Sequence, residues 1–161
     1  MLLPKYWSES DKGSNIKIGD DKLSLVLENT LEEAEFVRTS NPIPSRCLHF
    51  YFEIQILCDK GSDGISIGIT TTNSSLSHEP SEQIFSPEVS YSLGNTVGFF
   101  IDFKEGFTFL TLDGKIVGEF NPFSGPPDKC YPTVRLRSAG AIVTATFNAK
   151  KCRFNSKGNK L

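Results

Sequence analysis

Apolar and polar residues alternate with a period of two along much of this chain. From Leu48 to Ile56 every second residue is large and apolar, and the same alternation recurs over Ile65–Ile69 and Val97–Phe103. Such alternation predicts strands with one face packed in a core. The polar positions of the first stretch are His49, Tyr51, Glu53 and Gln55. The residues that we expect to be buried between two sheets are Phe50, Phe52, Ile54, Ile67, Phe99, Ile101, Val134 and Phe147.

Turn residues separate the apolar runs at short intervals. Asp113-Gly114 supplies the pair of positive φ angles that a two-residue hairpin turn requires. Thr30-x-x-Glu33 is compatible with a capping box, so we predict at most one helical turn there, through Glu35. The predicted strands are Ile16–Ile18, Leu23–Leu27, Phe36–Arg38, Leu48–Leu57, Ile65–Thr70, Val89–Leu93, Val97–Phe103, Thr108–Leu112, Lys115–Phe120, Thr133–Arg137 and Ile142–Phe147.

Short strands without long helices predict an all-β fold, a two-sheet antiparallel β-sandwich. With 161 residues the chain has room for one core, and its 13 phenylalanines suit the space between two sheets. We place the domain at residues 1–148. Residues 149–161 contain five basic side chains and are interpreted as a solvated tail or the start of a linker.

Charge and cysteine usage narrow the classes of partner. A net charge of −2 gives no general attraction to nucleic acid or to an anionic membrane, and no apolar run could span a bilayer. The four cysteines have no metal-ligand spacing, so we expect reduced thiols and no metal. We expect a cytoplasmic location, with the nucleus as an alternative. Secretion stays open as well, because a removed signal peptide leaves no trace.

The sequence has few candidates for catalysis. A glycoside hydrolase needs two carboxylates across a cleft, and the strand-borne acids Glu53 and Asp102 lack such a partner at the right spacing. Both are interpreted as solvent-facing sheet residues or partners of a neighbouring cation. His49 and His78 are the only histidines, and no serine lies in a nucleophile elbow. We therefore predict a protein that is not an enzyme and that holds no cofactor.

Carbohydrate binding is the alternative from another class, because some lectins are β-sandwiches. A sugar site usually needs an exposed aromatic platform or a calcium site. Trp7 is the only tryptophan. The acidic residues of the chain are scattered singly, apart from Asp20-Asp21 and Glu32-Glu33-x-Glu35. Few residues of this chain therefore support lectin function.

Several short motifs occur in an order that resembles the SPRY domain. The N-terminal run Leu3-Pro4-Lys5-Tyr6-Trp7 and the later Pro42-Ile43-Pro44 resemble the Ran-binding-protein-M type of that family, although the likeness does not imply binding to Ran. The remaining motifs are Tyr51-Phe52-Glu53-Ile54, Ile67-Gly68-Ile69, Val97-Gly98, Thr111-Leu112-Asp113-Gly114-Lys115 and Tyr131-Pro132-Thr133-Val134.

This resemblance implies a non-catalytic module that recognises a protein or short peptide through loops at one end of the sandwich. It further suggests a monomeric domain that serves as scaffold or substrate receptor of a ubiquitin ligase, or alternatively a secreted effector. The positions that correspond to the ligand groove of the family are Asn29, Thr30, Asp63, Tyr91, Arg137 and Ser138.

The segment between Ile69 and Val97 departs from the family pattern. It is shorter here, and it has a Ser/Thr-rich stretch where relatives carry tryptophan and glycine motifs. The shortening removes aromatic residues from the neighbourhood of the implied groove. We therefore expect a divergent member whose ligand differs from those of its relatives.

Overall fold

The computed structural model describes residues 3–71, 83–86 and 90–148, and for 83–85 it describes only the backbone. Twelve strands occur within these ranges. They are Trp7–Lys12 (β1), Ile16–Ile18 (β2), Ser24–Leu27 (β3), Glu35–Thr39 (β4), His49–Ile56 (β5), Ile65–Thr71 (β6), Gln83–Phe85 (β7), Thr96–Asp102 (β8), Phe107–Leu112 (β9), Lys115–Pro122 (β10), Cys130–Leu136 (β11) and Ala141–Thr146 (β12).

The strands form two antiparallel sheets, as the alternation predicts. One sheet has five strands in the order β1-β4-β11-β6-β7, and the other has seven in the order β10-β9-β8-β5-β12-β3-β2. The hairpin between β9 and β10 turns through Asp113 and Gly114, whose φ angles are 51° and 83°. The predicted two-sheet sandwich is therefore confirmed, together with the turn chemistry of its tightest hairpin.

The core lies between the sheets and is built from the predicted face of each strand. Phe50, Phe52 and Ile54 are buried, as are Ile67, Phe99, Ile101 and Val134. Phe147 is only half-buried, because it lies at the margin of the core, where its ring contacts Trp7 and Phe52. Leu48 is 62% exposed, because β5 begins one residue later.

One predicted strand is wrong, and two observed strands were not predicted. Residues 90–93 form no strand, while Val89 lies outside the described residues. Thr30 does not cap a helical turn, because its hydroxyl accepts a hydrogen bond from the backbone N–H of Ala139, 3.0 Å away. The strand from Trp7 to Lys12 was not predicted, because every residue after Trp7 in this segment is polar or charged and no alternation of apolar residues is present. β7 was also missed.

No helix in the described part of the chain is long and apolar enough to cross a membrane. Tail residues 149–161, His78 and most of the Ser/Thr-rich stretch lie outside the described residues.

Candidate functional site: the loop rim

Strand directions bring four connections to one end of the sandwich. β11 ends at Leu136 opposite Ile65, the first residue of β6, and β12 begins at Ala141 opposite Leu27, the last residue of β3. The end of β5 and the start of β8 lie at the same end, since Gln55 pairs with Thr96. We call residues 28–31, 57–64, 90–95 and 137–140 the rim.

Hydrogen bonds tie three of these connections into one surface. The backbone N–H of Leu31 donates to the carbonyl of Arg137 over 2.9 Å, and the N–H of Arg137 donates to the carbonyl of Gly64 over 3.1 Å. Thr30 holds Ala139 through its hydroxyl. Asn29-Thr30, Asp63 and Arg137-Ser138 therefore converge, as their positions at strand ends predict.

Two glycines let these connections approach closely. A Cβ atom on Gly64 would lie 2.7 Å from the hydroxyl of Ser138 and 2.8 Å from its backbone nitrogen. Gly61 has a φ of 81°, and a Cβ there would lie 2.5 Å from the backbone nitrogen of Ala141. Both positions exclude larger residues, so glycine here supports the rim's compactness.

Tyr91 occupies a different place from the other predicted site residues. It is half-buried, packs against the core and hydrogen-bonds with Ser86, whose hydroxyl accepts the N–H of Ile67. Burial raises the pKa of Tyr91 above its ordinary value, although the bond to Ser86 opposes this. Tyr91 therefore supports the connection 90–95 instead of standing free on its surface.

The other predicted site residues differ in how far their side chains are exposed to solvent. Asn29, Thr30 and Asp63 are exposed, whereas Arg137 and Ser138 are half-buried. Two apolar side chains that sequence reasoning missed are also exposed, Leu57 at 40% and Leu93 at 58%. They lie near each other, because the N–H of Gly94 donates to the carbonyl of Ile56 over 2.8 Å. No local pattern in the sequence marks either leucine as exposed.

A depression of about 440 Å³ lies at the opposite end of the sandwich, away from the rim. Its lining is Asn41, Pro42, Ile43, Pro44, Ser45, Arg46 and Asp128. It is therefore a rival to the rim as a binding surface.

The acids considered for catalysis have other surroundings than expected. The solvent-facing interpretation of Glu53 is wrong, because the residue is only 3% exposed and accepts a hydrogen bond from the hydroxyl of Tyr51 over 2.9 Å; a cationic partner stays a prediction. On the outer face of β5, Glu53 is buried and Tyr51 half-buried while His49 and Gln55 are exposed, which strand alternation alone does not reveal. Asp102 accepts the backbone N–H groups of Lys104 and Glu105, so it shapes the turn before β9.

Cysteines and other potential metal ligands are dispersed in the described ranges. Cys47, Cys58 and Cys130 are free thiols, and Cys152 lies outside those ranges. Burial, assisted by the negative charge of Asp128, raises the pKa of Cys130 to about 11. No group of three His, Cys, Asp or Glu residues suited to a metal ion occurs among the residues described.

The only tryptophan does not serve as an exposed sugar platform. Trp7 is 2% exposed, and its indole N–H donates to the carbonyl of Leu23 over 2.9 Å. It packs the first strand against the core.

Comparison with solved structures decides the fold. The crystal structure of a human SPRY domain superposes with a TM-score of 0.64 and 20% identity, covering 90% of this chain and 99% of that one. The chain has the SPRY fold. A scan against models of protein families finds no match.

Curated relatives agree with the resemblance to the Ran-binding type of SPRY protein. Ran-binding protein 9 of Xenopus tropicalis is 29% identical over 169 residues, which cover 89% of this chain and 30% of that protein. Ran-binding protein M homolog of Arabidopsis thaliana is 28% identical over 174 residues, covering 91% of this chain and 36% of that protein. The chain thus spans about a third of the length of these relatives. The predicted SPRY resemblance is confirmed.

Proposed function

We propose that this SPRY-fold chain is a non-catalytic recognition module that binds a protein or short peptide at the rim. One observation supports this proposal. Hydrogen bonds join three connections, 28–31, 61–64 and 137–140, into one surface. Loops held by a rigid scaffold can change side chains without disturbing the core, which suits them to recognition.

The chemistry of the rim favours a particular kind of ligand. Leu57 and Leu93 offer an exposed apolar contact, and Asp63 and Arg137 provide charges of both signs. An extended peptide with one apolar anchor and flanking charged groups would match this surface. An arginine at such a place can take a carboxylate or a backbone carbonyl.

The finer role as scaffold or substrate receptor of a ubiquitin ligase rests on the family resemblance alone. Because the chain spans only about a third of its curated relatives, the activity of a parent protein is a further proposal. We also propose cytoplasmic or nuclear action, which the three free thiols support, since a reducing compartment keeps thiols unpaired.

Capture of partners from a cell extract tests the rim against its rival. We would compare the wild type with a rim variant, Leu93→Ala/Arg137→Ala, and with a matched variant of the opposite end, Arg46→Ala/Asp128→Ala. Mass spectrometry of the captured proteins is expected to show partners of the wild type that the rim variant loses and the matched variant keeps. If the matched variant loses them instead, the depression is the site.

Two further measurements complete the test and separate protein recognition from carbohydrate binding. Circular dichroism should show that each variant remains folded, so that a lost partner reports the surface. Binding of the wild type to a glycan array, with no protein captured, would favour the lectin interpretation.

A further inference from the structure

The turn at residues 92–95 exposes a large apolar side chain. Leu93 is the second residue of this turn and is 58% exposed. The N–H of Asn95 donates to the carbonyl of Ser92 over 3.0 Å, which closes the turn. Gly94 follows with a φ of 90°, in the left-handed region that glycine adopts without a steric penalty. The leucine therefore protrudes from a closed turn of defined geometry.

The backbone of this turn is attached to the end of β5. The N–H of Gly94 donates to the carbonyl of Ile56, and the N–H of Ile56 donates to the carbonyl of Asn95, each over 2.8 Å. Leu57, the residue after β5, is 40% exposed, and its N–H donates to the carbonyl of Ile142 over 2.9 Å. Both exposed leucines thus belong to hydrogen-bonded backbone.

The side chain of Asn95 forms a bridge from the turn to the hairpin between β9 and β10. Its Oδ1 accepts the backbone N–H of Ser92 over 2.7 Å, and its Nδ2 donates to Oδ2 of Asp113 over 3.0 Å. The other carboxylate oxygen of Asp113 accepts the N–H of Thr96 over 2.9 Å, and its N–H donates to the carbonyl of Thr96 over 2.8 Å. The bridge therefore connects the turn to a hairpin that is itself tied to β8.

The amide group of Asn95 suits both bonds of this bridge. The N–H of Ser92 requires an acceptor and the carboxylate of Asp113 requires a donor, and an amide side chain provides one of each. An aspartate at position 95 would bring a second negative charge beside Asp113, and an alanine would remove both bonds. Asn95 is half-buried, so water competes less for these bonds than at an open surface.

A side chain that is held in place before binding gives more affinity than a mobile one. A turn without anchors must be ordered when a partner binds, and this ordering opposes association. Exposed leucines gain from burial only against apolar groups of the partner. The anchored turn therefore favours a partner that places an apolar side chain on Leu93 and Leu57.

We propose that Asn95 is a positioning residue for recognition at the rim, because its bridge holds Leu93 beside Leu57. The two leucines then receive an aliphatic or aromatic side chain of the partner, and Asn95 acts through Leu93 without touching the partner. The inference rests on the proposed function, since it concerns the same surface.

Amide hydrogen exchange tests the bridge in the full chain without a partner. The Ser92 amide should exchange slowly in the wild type, because the side chain of Asn95 accepts its hydrogen, and about tenfold faster in Asn95→Ala. Asn121→Ala is the matched control, since the exposed Asn121 side chain donates to the carbonyl of Glu119 over 3.4 Å. It should leave the exchange of the Ser92 amide unchanged.

Peptides selected from a random library displayed on phage serve as the binding probe. Peptides that bind the wild type at the rim should contain an aliphatic or aromatic residue and should lose affinity with Leu93→Ala. Asn95→Ala should weaken their binding about fivefold or more in fluorescence anisotropy, whereas Asn121→Ala should not. In a double-mutant cycle, Asn95→Ala should weaken binding no further once Leu93 is replaced by alanine, which a merely structural role would not produce.

The outcomes separate this inference from the proposed function. Unchanged exchange of the Ser92 amide in Asn95→Ala, full affinity of that variant for a Leu93-dependent peptide, or additive losses in the cycle would overturn the positioning role and leave the rim intact. Peptides that bind Leu93→Ala and Arg137→Ala as well as the wild type would overturn the rim, and this inference with it. If Asn95→Ala fails to fold, Asn95→Asp replaces it in the binding test, because it removes the donor to Asp113.

Discussion

The two ends of the sandwich differ in the shape of the surface that their connections form. At the rim, main-chain hydrogen bonds link Leu31 to Arg137 and Arg137 to Gly64, so connections distant in sequence form one surface. At the other end, residues 41–46 and Asp128 frame an open depression, and the N–H of Ile43 reaches the carbonyl of Cys130.

The two ends thus separate empty volume from exposed anchor side chains. A depression is the usual expectation for a small molecule, whereas a protein ligand needs a stable surface with exposed anchors. The rim has the exposed apolar and charged side chains, and the opposite end has the volume. Substitutions that disturb one end without the other can therefore separate the two.

The largest effect is expected in the core that both ends share. Phe52→Ala should reduce the free energy of unfolding by about 3–5 kcal/mol, because a fully buried ring is lost from the space between the sheets. Phe120, which is 51% exposed, is the matched position, and Phe120→Ala should cost far less. Denaturant unfolding measures both. Equal losses would contradict the assignment of the core face.

Glycine substitutions sharpen the claim that the rim is closely packed. Gly61→Ala should cost about 2–4 kcal/mol, since it adds left-handed strain and a clash with the backbone. Gly94 has a φ of 90° but no atom within 4 Å of an added Cβ, so Gly94→Ala should cost only the strain, about 1 kcal/mol. Thermal unfolding of both variants gives the difference. Equal costs would mean that the connections are not in contact.

Substitutions of Tyr91 test whether this residue stabilises the fold. Tyr91→Ala should cost about 1–3 kcal/mol, because the ring packs on the core. Tyr91→Phe keeps the ring and removes only the hydroxyl bonded to Ser86, so it should cost about 1 kcal/mol. Urea titration of the two variants separates packing from hydrogen bonding. A neutral Tyr91→Ala would return this residue to the exposed binding surface.

The opposite end should respond to alkaline pH. The folded-state pKa of Cys130 is raised to about 11 from an ordinary value of 9.0. Between these values the unfolded chain loses the thiol proton while the folded chain keeps it, so the free energy of unfolding falls as pH rises. Tyr91 is shifted in the same direction. Cys130→Ala should make the decline shallower in urea titrations at pH 8 to 11, and an unchanged slope would contradict the burial of this thiol.

Much of the fold could be predicted because it depends on local pattern. Alternation located the inner faces of β5 and β8, and Asp113-Gly114 located the hairpin, since both act through neighbouring residues. Glu53 could not be placed, because alternation reports that one face is buried and says nothing about a cover over the other. Thr30 caps no helical turn for a related reason. Its hydroxyl accepts a hydrogen bond from the backbone N–H of Ala139, which lies more than a hundred residues further along the chain.

The candidate site was predictable only in part. Strand ends placed Asn29, Asp63 and Arg137 at one end, because topology brings those ends together. The exposure of Leu93 and the half-buried state of Tyr91 depend on how the connection 90–95 packs, and a sequence gives no pattern for that. Binding by Asn29, Thr30, Asp63, Tyr91, Arg137 and Ser138 stays a prediction.

The most direct test of the central claim is amide chemical-shift mapping with a captured partner or its peptide. Titration into the labelled chain should shift signals in 28–31, 57–64, 90–95 and 137–140, and Leu93→Ala/Arg137→Ala should weaken binding about tenfold or more while the fold persists. Shifts confined to 41–46 and Asp128, with full affinity of the rim variant, would contradict the account and assign recognition to the opposite end.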